Sequence, residues 1–99
     1  MTEVRLTAIF GRWLGRLRDE RAKARIAARI RRISFGNLGD VRSVGGGISE
    51  MRIDYGPGYR VYFMGRADRL IVLLCAGDKS TQDRDIERAK AIAQELKDI

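Results

Sequence analysis

Residues 49–64 read SEMRIDYGPGYRVYFM, and their alternation decides the fold. Ser49, Met51, Ile53 and Tyr55 alternate with Glu50, Arg52 and Asp54, and Tyr59, Val61 and Phe63 alternate with Arg60, Tyr62 and Met64. A period of two is the pattern of a strand with one face on a core. Between the two runs, Gly56-Pro57-Gly58 combines a fixed φ with a residue that tolerates positive φ, which is turn chemistry. The stretch therefore predicts an antiparallel hairpin. Its apolar sets share a face only if an odd number of residues forms the loop or a bulge intervenes. A three-residue loop places Asp54 opposite Arg60 and Arg52 opposite Tyr62.

Working outward, residues 70–76 (LIVLLCA) are apolar on both faces and predict the most buried strand, after a turn at 65–68. Upstream, residues 36–47 hold five glycines and no long apolar run, and read as a loop. Before them the period is helical: Ile9, Phe10, Trp13, Leu14 and Leu17, then Ala22, Ile26, Ile30 and Ile33, with Asp19 as the N-cap between two helices. This predicts a helical hairpin over 8–35. Val4 and Leu6 alternate with polar neighbours and predict a short first strand. At the far end, Ser80-Thr81-Gln82-Asp83 resembles a capping box ahead of a helix whose stripe is Ile86, Ala89, Ala93 and Leu96. The expected order is β-α-α-β-β-β-α, an α+β fold forming a single domain over 1–99.

The 99 residues carry 20 Lys and Arg against 13 Asp and Glu, a net charge of +7. Such a balance speaks to a polyanionic partner, nucleic acid foremost. Histidine is absent, so acid–base chemistry near neutral pH falls to Lys, Tyr, Asp, Glu or Arg. With one cysteine and no histidine, the chain lacks the ligands of a zinc site, and no metal or other cofactor is expected. Nowhere do 18 apolar residues run together, so no transmembrane helix is expected. An acidic protein or an anionic membrane is the other option for so basic a chain, though no membrane is counted among the expected partners. Residues 1–10 lack the apolar core of a signal peptide, and the unpaired Cys75 agrees with a cytoplasmic location.

Three basic sets stand out. Arg21, Arg25, Arg29 and Arg32 line one helix, widened by Arg12, Arg16, Lys23 and Arg31; they read as phosphate contacts or as a solvated helix face. Arg52, Arg60 and Tyr62 share the polar side of the hairpin, away from the helix-covered core, either for binding phosphate or as cross-strand pairs such as Arg60 with Asp54. Lys79 precedes the last helix in Gly77-Asp78-Lys79-Ser80. Arg60 and Lys79 are expected to face solvent, so that removing either costs on the order of 1 kcal/mol or less. Trp13 and Cys75 read as core.

From Gly45 onward, GGGISEMRI, YGPGYRVYF and GDKSTQD resemble the killer-protein branch of the RelE/ParE toxin superfamily, which includes HigB-like and phage-derived toxins of type II toxin–antitoxin modules. The resemblance implies a helical hairpin on a small, mostly antiparallel sheet with a short C-terminal helix. It implies a ribosome-dependent, metal-independent endoribonuclease, an mRNA interferase that stops translation by cutting mRNA on the ribosome. A cognate antitoxin, often a helix-turn-helix protein, neutralises such a toxin. Arg60 matches the family's strand arginine and Lys79 its basic residue after the last strand; Arg52 lies near its basic residues on the preceding strand. A functional tyrosine in the C-terminal segment has no counterpart here, which leaves Tyr62 or Tyr55 for the base. The alternatives are a ParE-type DNA gyrase poison and a non-enzymatic RNA-binding module.

Overall fold

The computed structural model describes residues 2–67 and 69–97. The hydrophobic run after residue 69 becomes an inner strand of the sheet, with a neighbour on each side. The strands are β1 (Glu3–Leu6), β2 (Val41–Gly45), β3 (Ile48–Ile53), β4 (Tyr59–Arg66) and β5 (Leu70–Gly77), and the helices are α1 (Ala8–Arg16), α2 (Glu20–Ser34) and α3 (Gln82–Lys97). The sheet has five strands in the order β1-β5-β4-β3-β2. β1 runs parallel to β5 and every other pair is antiparallel.

The fold is α+β as expected, with one strand more. Residues 36–47 are not a continuous loop, because β2 lies within them and pairs with β3, Val41 opposite Met51 and Gly45 opposite Ile48. Gly46 and Gly47 make the turn, with φ of +63° and +78°. Positive φ at both central residues is what a primed hairpin turn demands, and glycine adopts it without strain. β2 escaped the periodicity because it is a five-residue edge strand whose only apolar residues are Val41 and Val44.

The two α-helical expectations hold for the hairpin. Thr7 caps α1, its Oγ1 accepting from Phe10 N at 3.1 Å. Asp19 caps α2, its Oδ1 accepting from Arg21 N and Ala22 N at 3.0 and 3.2 Å. The start of α3 differs: Asp78, not Ser80, is the cap, accepting from Ser80 N at 2.8 Å ahead of a single 3₁₀ turn over Lys79–Thr81. The turn expected at 65–68 includes Asp68, which lies outside the described residues.

Helices cover both faces of the sheet, whereas only one covered face was expected. On the first face Phe10, Ile26 and Ile33 of α1 and α2 pack on Met51, Ile53, Val61, Phe63 and Leu73. On the second, Ala89, Ile92 and Ala93 of α3 pack on Ile48, Tyr62, Met64, Leu74 and Cys75. A bulge lets β5 serve both: Tyr62 pairs with Cys75 and Phe63 with Leu73, leaving Leu74 extra. Leu73, Leu74 and Cys75 are all buried, in keeping with the run's apolar character on both sides.

Gly77 closes this second layer. A Cβ at position 77 would lie 1.8 Å from Asp85 Oδ2 and 2.7 Å from Thr81 Oγ1. The Asp85 carboxyl is itself buried and receives the Thr81 hydroxyl, so it has no room to retreat. Gly77→Ala should therefore push α3 off the sheet and lower stability by about 1–3 kcal/mol, as overpacking does. Gly11→Ala, with nothing within 4 Å of its Cβ, is the control and should not. Equilibrium urea unfolding of the two variants checks this.

Candidate functional site

The hairpin register decides which side chains meet. Ile53 pairs with Tyr59, so the loop is residues 54–58 and not Gly56-Pro57-Gly58 alone. The parity is odd, as the shared apolar face requires, but each partner moves by two residues from the expected register. Glu50 now faces Tyr62, and Arg52 faces Arg60. Asp54 is left in the loop and has no strand partner.

Two cross-strand rows result on the α3 side of the sheet. The first runs Arg42, Glu50, Tyr62, Cys75 across β2 to β5, and the second runs Arg52, Arg60, Gly77 across β3 to β5. Glu50 is wholly buried. Its Oε1 accepts from Arg60 Nη1 at 2.9 Å, and its Oε2 accepts from Tyr62 OH at 3.1 Å and from Gln82 Nε2 at 2.8 Å. Arg42 Nε lies 3.4 Å from Oε1. A buried carboxylate needs this many donors, since desolvation otherwise outweighs its attractions.

Arg60 is therefore not the solvent-facing residue expected, and Asp54 is not its partner. Its side chain keeps 12% of its exposure and is held by Glu50 from behind. Its buried Nε has no hydrogen-bond partner. Tyr62 is also placed differently: it is 0% exposed under α3 rather than on an open polar face. Burial first, and the neighbouring Glu50 charge second, push its phenol well above the ordinary tyrosine value. At neutral pH it keeps its proton and donates it to Glu50.

Arg52 stands at the rim. Its Nη2 and Nε donate to Asp40 Oδ1 at 3.0 and 3.3 Å. That hydrogen bond raises the Arg52 pKa and lowers that of Asp40. Lys79 arrives from the other side. Its N–H donates to Pro57 O at 3.4 Å, so the turn after β5 rests on the β3–β4 loop. Gly58, at φ +79°, presents its bare Cα to Lys79 Cβ. Asp40, Arg52, Asp54, Tyr59, Arg60 and Lys79 line a cleft of about 310 Å³. Three of the four residues singled out in the sequence thus come together, with Tyr62 one layer behind them.

The helix arginines divide. Arg21, Arg25, Arg31 and Arg32 are exposed, but Arg29 turns inward. It donates to the carbonyls of Arg52, Leu38 and Asp40 at 2.6, 3.2 and 3.3 Å, which fixes the chain leading into β2. Burial lowers its pKa, the first of several causes. Tyr55 is drawn away from the cleft: its OH donates to Asp19 Oδ2 at 3.1 Å and Arg25 lies 4.8 Å over its ring. Trp13 is half-buried at the edge of the core, in edge-on contact with Tyr59 at 5.9 Å between ring centres. Cys75 is core, as expected. Burial, with Asp85 nearby, pushes its thiol up to about 12.

Sequence reasoning missed Glu50. Its signal was present in the alternation, which puts Glu50, Arg52, Arg60 and Tyr62 on one side of the hairpin. A lone carboxylate among these donors is recognisable as their acceptor only in the five-residue-loop register.

Among known proteins, the sequence profile of a family described as "Phage derived protein Gp49-like (DUF891)" matches residues 12–98. A protein of Haemophilus influenzae described only as an uncharacterized protein is 55% identical over 94 residues, covering 95% of each chain.

The geometry separates Arg60 from Lys79 energetically. Arg60→Ala strands a buried carboxylate and should cost about 3–5 kcal/mol, whereas Lys79→Ala at an exposed turn should stay within about 0.5 kcal/mol. Urea titrations of both variants measure the difference. The Cys75 thiol, protonated and enclosed, should react with a disulfide reagent at pH 8 only as fast as the domain opens, and at full rate in denaturant.

Proposed function

The chain belongs to the Gp49-like family of phage-derived proteins, a family of RelE-like toxins, and from that premise we propose that it is the toxin of a type II toxin–antitoxin module of the HigB-like kind, an endoribonuclease that cuts mRNA on the ribosome. The observation that carries this reading is the convergence of Arg52, Arg60 and Lys79 with Asp54 on one open cleft. These are the parts that metal-independent RNA cleavage requires.

In that reaction the 2′-oxygen attacks the adjacent phosphorus, the bond from phosphorus to the 5′-oxygen breaks, and a cyclic phosphate and a 5′-hydroxyl result. A base takes the 2′ proton, cations hold the extra negative charge of the phosphorane, and an acid returns a proton to the 5′-oxygen. Arg60, braced by Glu50, and Arg52, braced by Asp40, are the cations. Lys79 supplies N–H donors to the leaving oxygen. Asp54 is exposed and makes no salt bridge among the described residues, so its carboxylate is free to take the 2′ proton. Tyr62 enters as a positioning residue: its phenol holds Glu50, and Glu50 holds Arg60. A cognate antitoxin would silence the toxin by covering the cleft or the basic outer face of α2.

Expression of the chain should arrest protein synthesis and produce new mRNA 5′ ends in primer extension. Lys79→Ala should fold normally and lower cleavage by roughly 10²-fold. Arg60→Lys, which keeps a cation beside Glu50 but loses the planar fork, should retain the fold and still lose most cleavage. Continued translation with failing DNA supercoiling would overturn the reading in favour of gyrase.

A further inference from the structure

We propose that a second anion pocket, formed by Arg12, Arg16 and Arg88 around Trp13, adjoins the cleft and holds a phosphate of the same single-stranded RNA. The inference rests on the RNA reading above, but it concerns binding and not cleavage.

The pocket follows from a mismatch of strand lengths. β1 has four residues and pairs only with Leu70–Leu73 of the eight-residue β5. Beyond that point β5 has no neighbour on this side. The chain leaves β1 at Thr7, whose hydroxyl donates to Leu74 O at 2.7 Å and whose Oγ1 also caps α1. α1 therefore starts at the middle of β5 and crosses its bare edge, while α3 runs along the opposite face. Between them lies a pocket of about 130 Å³ lined by Ile9, Arg12, Trp13, Arg16, Ala76 and Arg88.

Its charge is unbalanced. No carboxylate lines it, and among the described residues none of the three arginines forms a salt bridge or a side-chain hydrogen bond. Arg12 and Arg16 stand one helical turn apart on α1, a spacing at which like charges repel. In the neighbouring cleft the chain pairs its arginines, Arg60 with Glu50 and Arg52 with Asp40. Three guanidiniums converging without a counter-charge make a site that an external anion completes, and guanidinium forks match phosphate oxygens.

The remaining wall distinguishes a nucleotide from a bare carboxylate. Trp13 forms part of the lining, and an aromatic face beside arginines suits a base next to its phosphate. The position also fits one strand serving both sites. Trp13 packs against Tyr59, which lines the cleft, and Ala76 of this pocket precedes Gly77, the cross-strand partner of Arg60. The two pockets thus share an aromatic partition at one end of the sheet.

Trp13 is the chain's single tryptophan and so reports on its own pocket. The full chain is titrated with a fluorescein-labelled single-stranded RNA of roughly ten nucleotides, long enough to stack on an aromatic and track a basic groove. Anisotropy is followed at several salt concentrations, and Trp13 emission is followed with unlabelled RNA. Arg12→Gln/Arg16→Gln/Arg88→Gln should melt as the parent does, because all three side chains are exposed. It should bind about tenfold more weakly, with the salt slope falling by about 0.7 for each phosphate no longer neutralised, and its Trp13 response should diminish. The single Arg16→Gln should move each readout in the same direction by less. If affinity, slope and emission are unchanged in the triple variant, the inference is overturned, whether or not the parent cleaves mRNA. It is equally overturned if the substitutions weaken duplex DNA as much as RNA, which marks an unspecific basic patch. If the parent never cleaves mRNA yet the triple variant loses RNA affinity, the pocket stands and the endoribonuclease reading falls.

Discussion

A single carboxylate with no access to water organises the second layer of this fold. Glu50 receives donors from two strands and one helix around it: Arg42 on β2, Arg60 and Tyr62 on β4, and Gln82 at the start of α3. Burying such a charge is unfavourable unless every lone pair finds a partner. The partners exist only in one arrangement. A two-residue slip of the hairpin brings Arg52 opposite Tyr62 and removes Glu50 from that position, and a shift of α3 withdraws Gln82. Glu50 therefore contributes less to net stability than to selecting one register and one helix position among apolar alternatives of similar energy.

The same carboxylate shapes the chemistry of the cleft. Arg60 reaches the cleft from a strand, with its backbone fixed by neighbours on both sides and its guanidinium held through Nη1. A flexible arginine loses rotamer freedom when it meets a phosphate, and one already fixed does not. Arg52 is prepared in the same manner by Asp40, whose own position depends on Arg29 gripping its carbonyl. A cation fixed in this way can hold an anion in the cleft without having to reorganise.

Much of this was legible in the sequence, and the failures share a cause. Periodicity located β1, both helices of the hairpin, β3, β4 and β5, since each carries enough apolar residues to show its period. β2 was missed because an edge strand with Val41 and Val44 as its apolar residues has no core-facing run to display. The α3 cap was displaced by two residues because Asp78 and Ser80 are both competent caps, and choosing between them requires the position of Thr81. Arg52, Arg60 and Lys79 were identified as a set, but their surroundings were not. Partnership across strands depends on loop length, and a Gly-Pro-Gly motif marks a turn without fixing how many flanking residues leave the ladder. The roles of Arg29 and Glu50 were missed for a related reason: they lie in long-range contacts, to backbone carbonyls for Arg29 and to side chains whose register the loop length sets for Glu50.

The placement of the functional surface follows from topology. Because β3 and β5 both run antiparallel to β4, the β3–β4 loop and the turn after β5 emerge at the same end of the sheet. Helices cover both faces, so the faces are closed to a ligand and the end is open. At that end the chain has few apolar side chains left to bury and many cations to place. Those with structural work are neutralised there by Glu50 and Asp40. Lys79, Arg12, Arg16 and Arg88 form no salt bridge among the described residues, so their charge stays uncompensated. A solvated charge run on a mobile surface attracts polyanions without orienting them. Arg52 and Arg60, each held by a carboxylate, can instead offer a polyanion fixed positions.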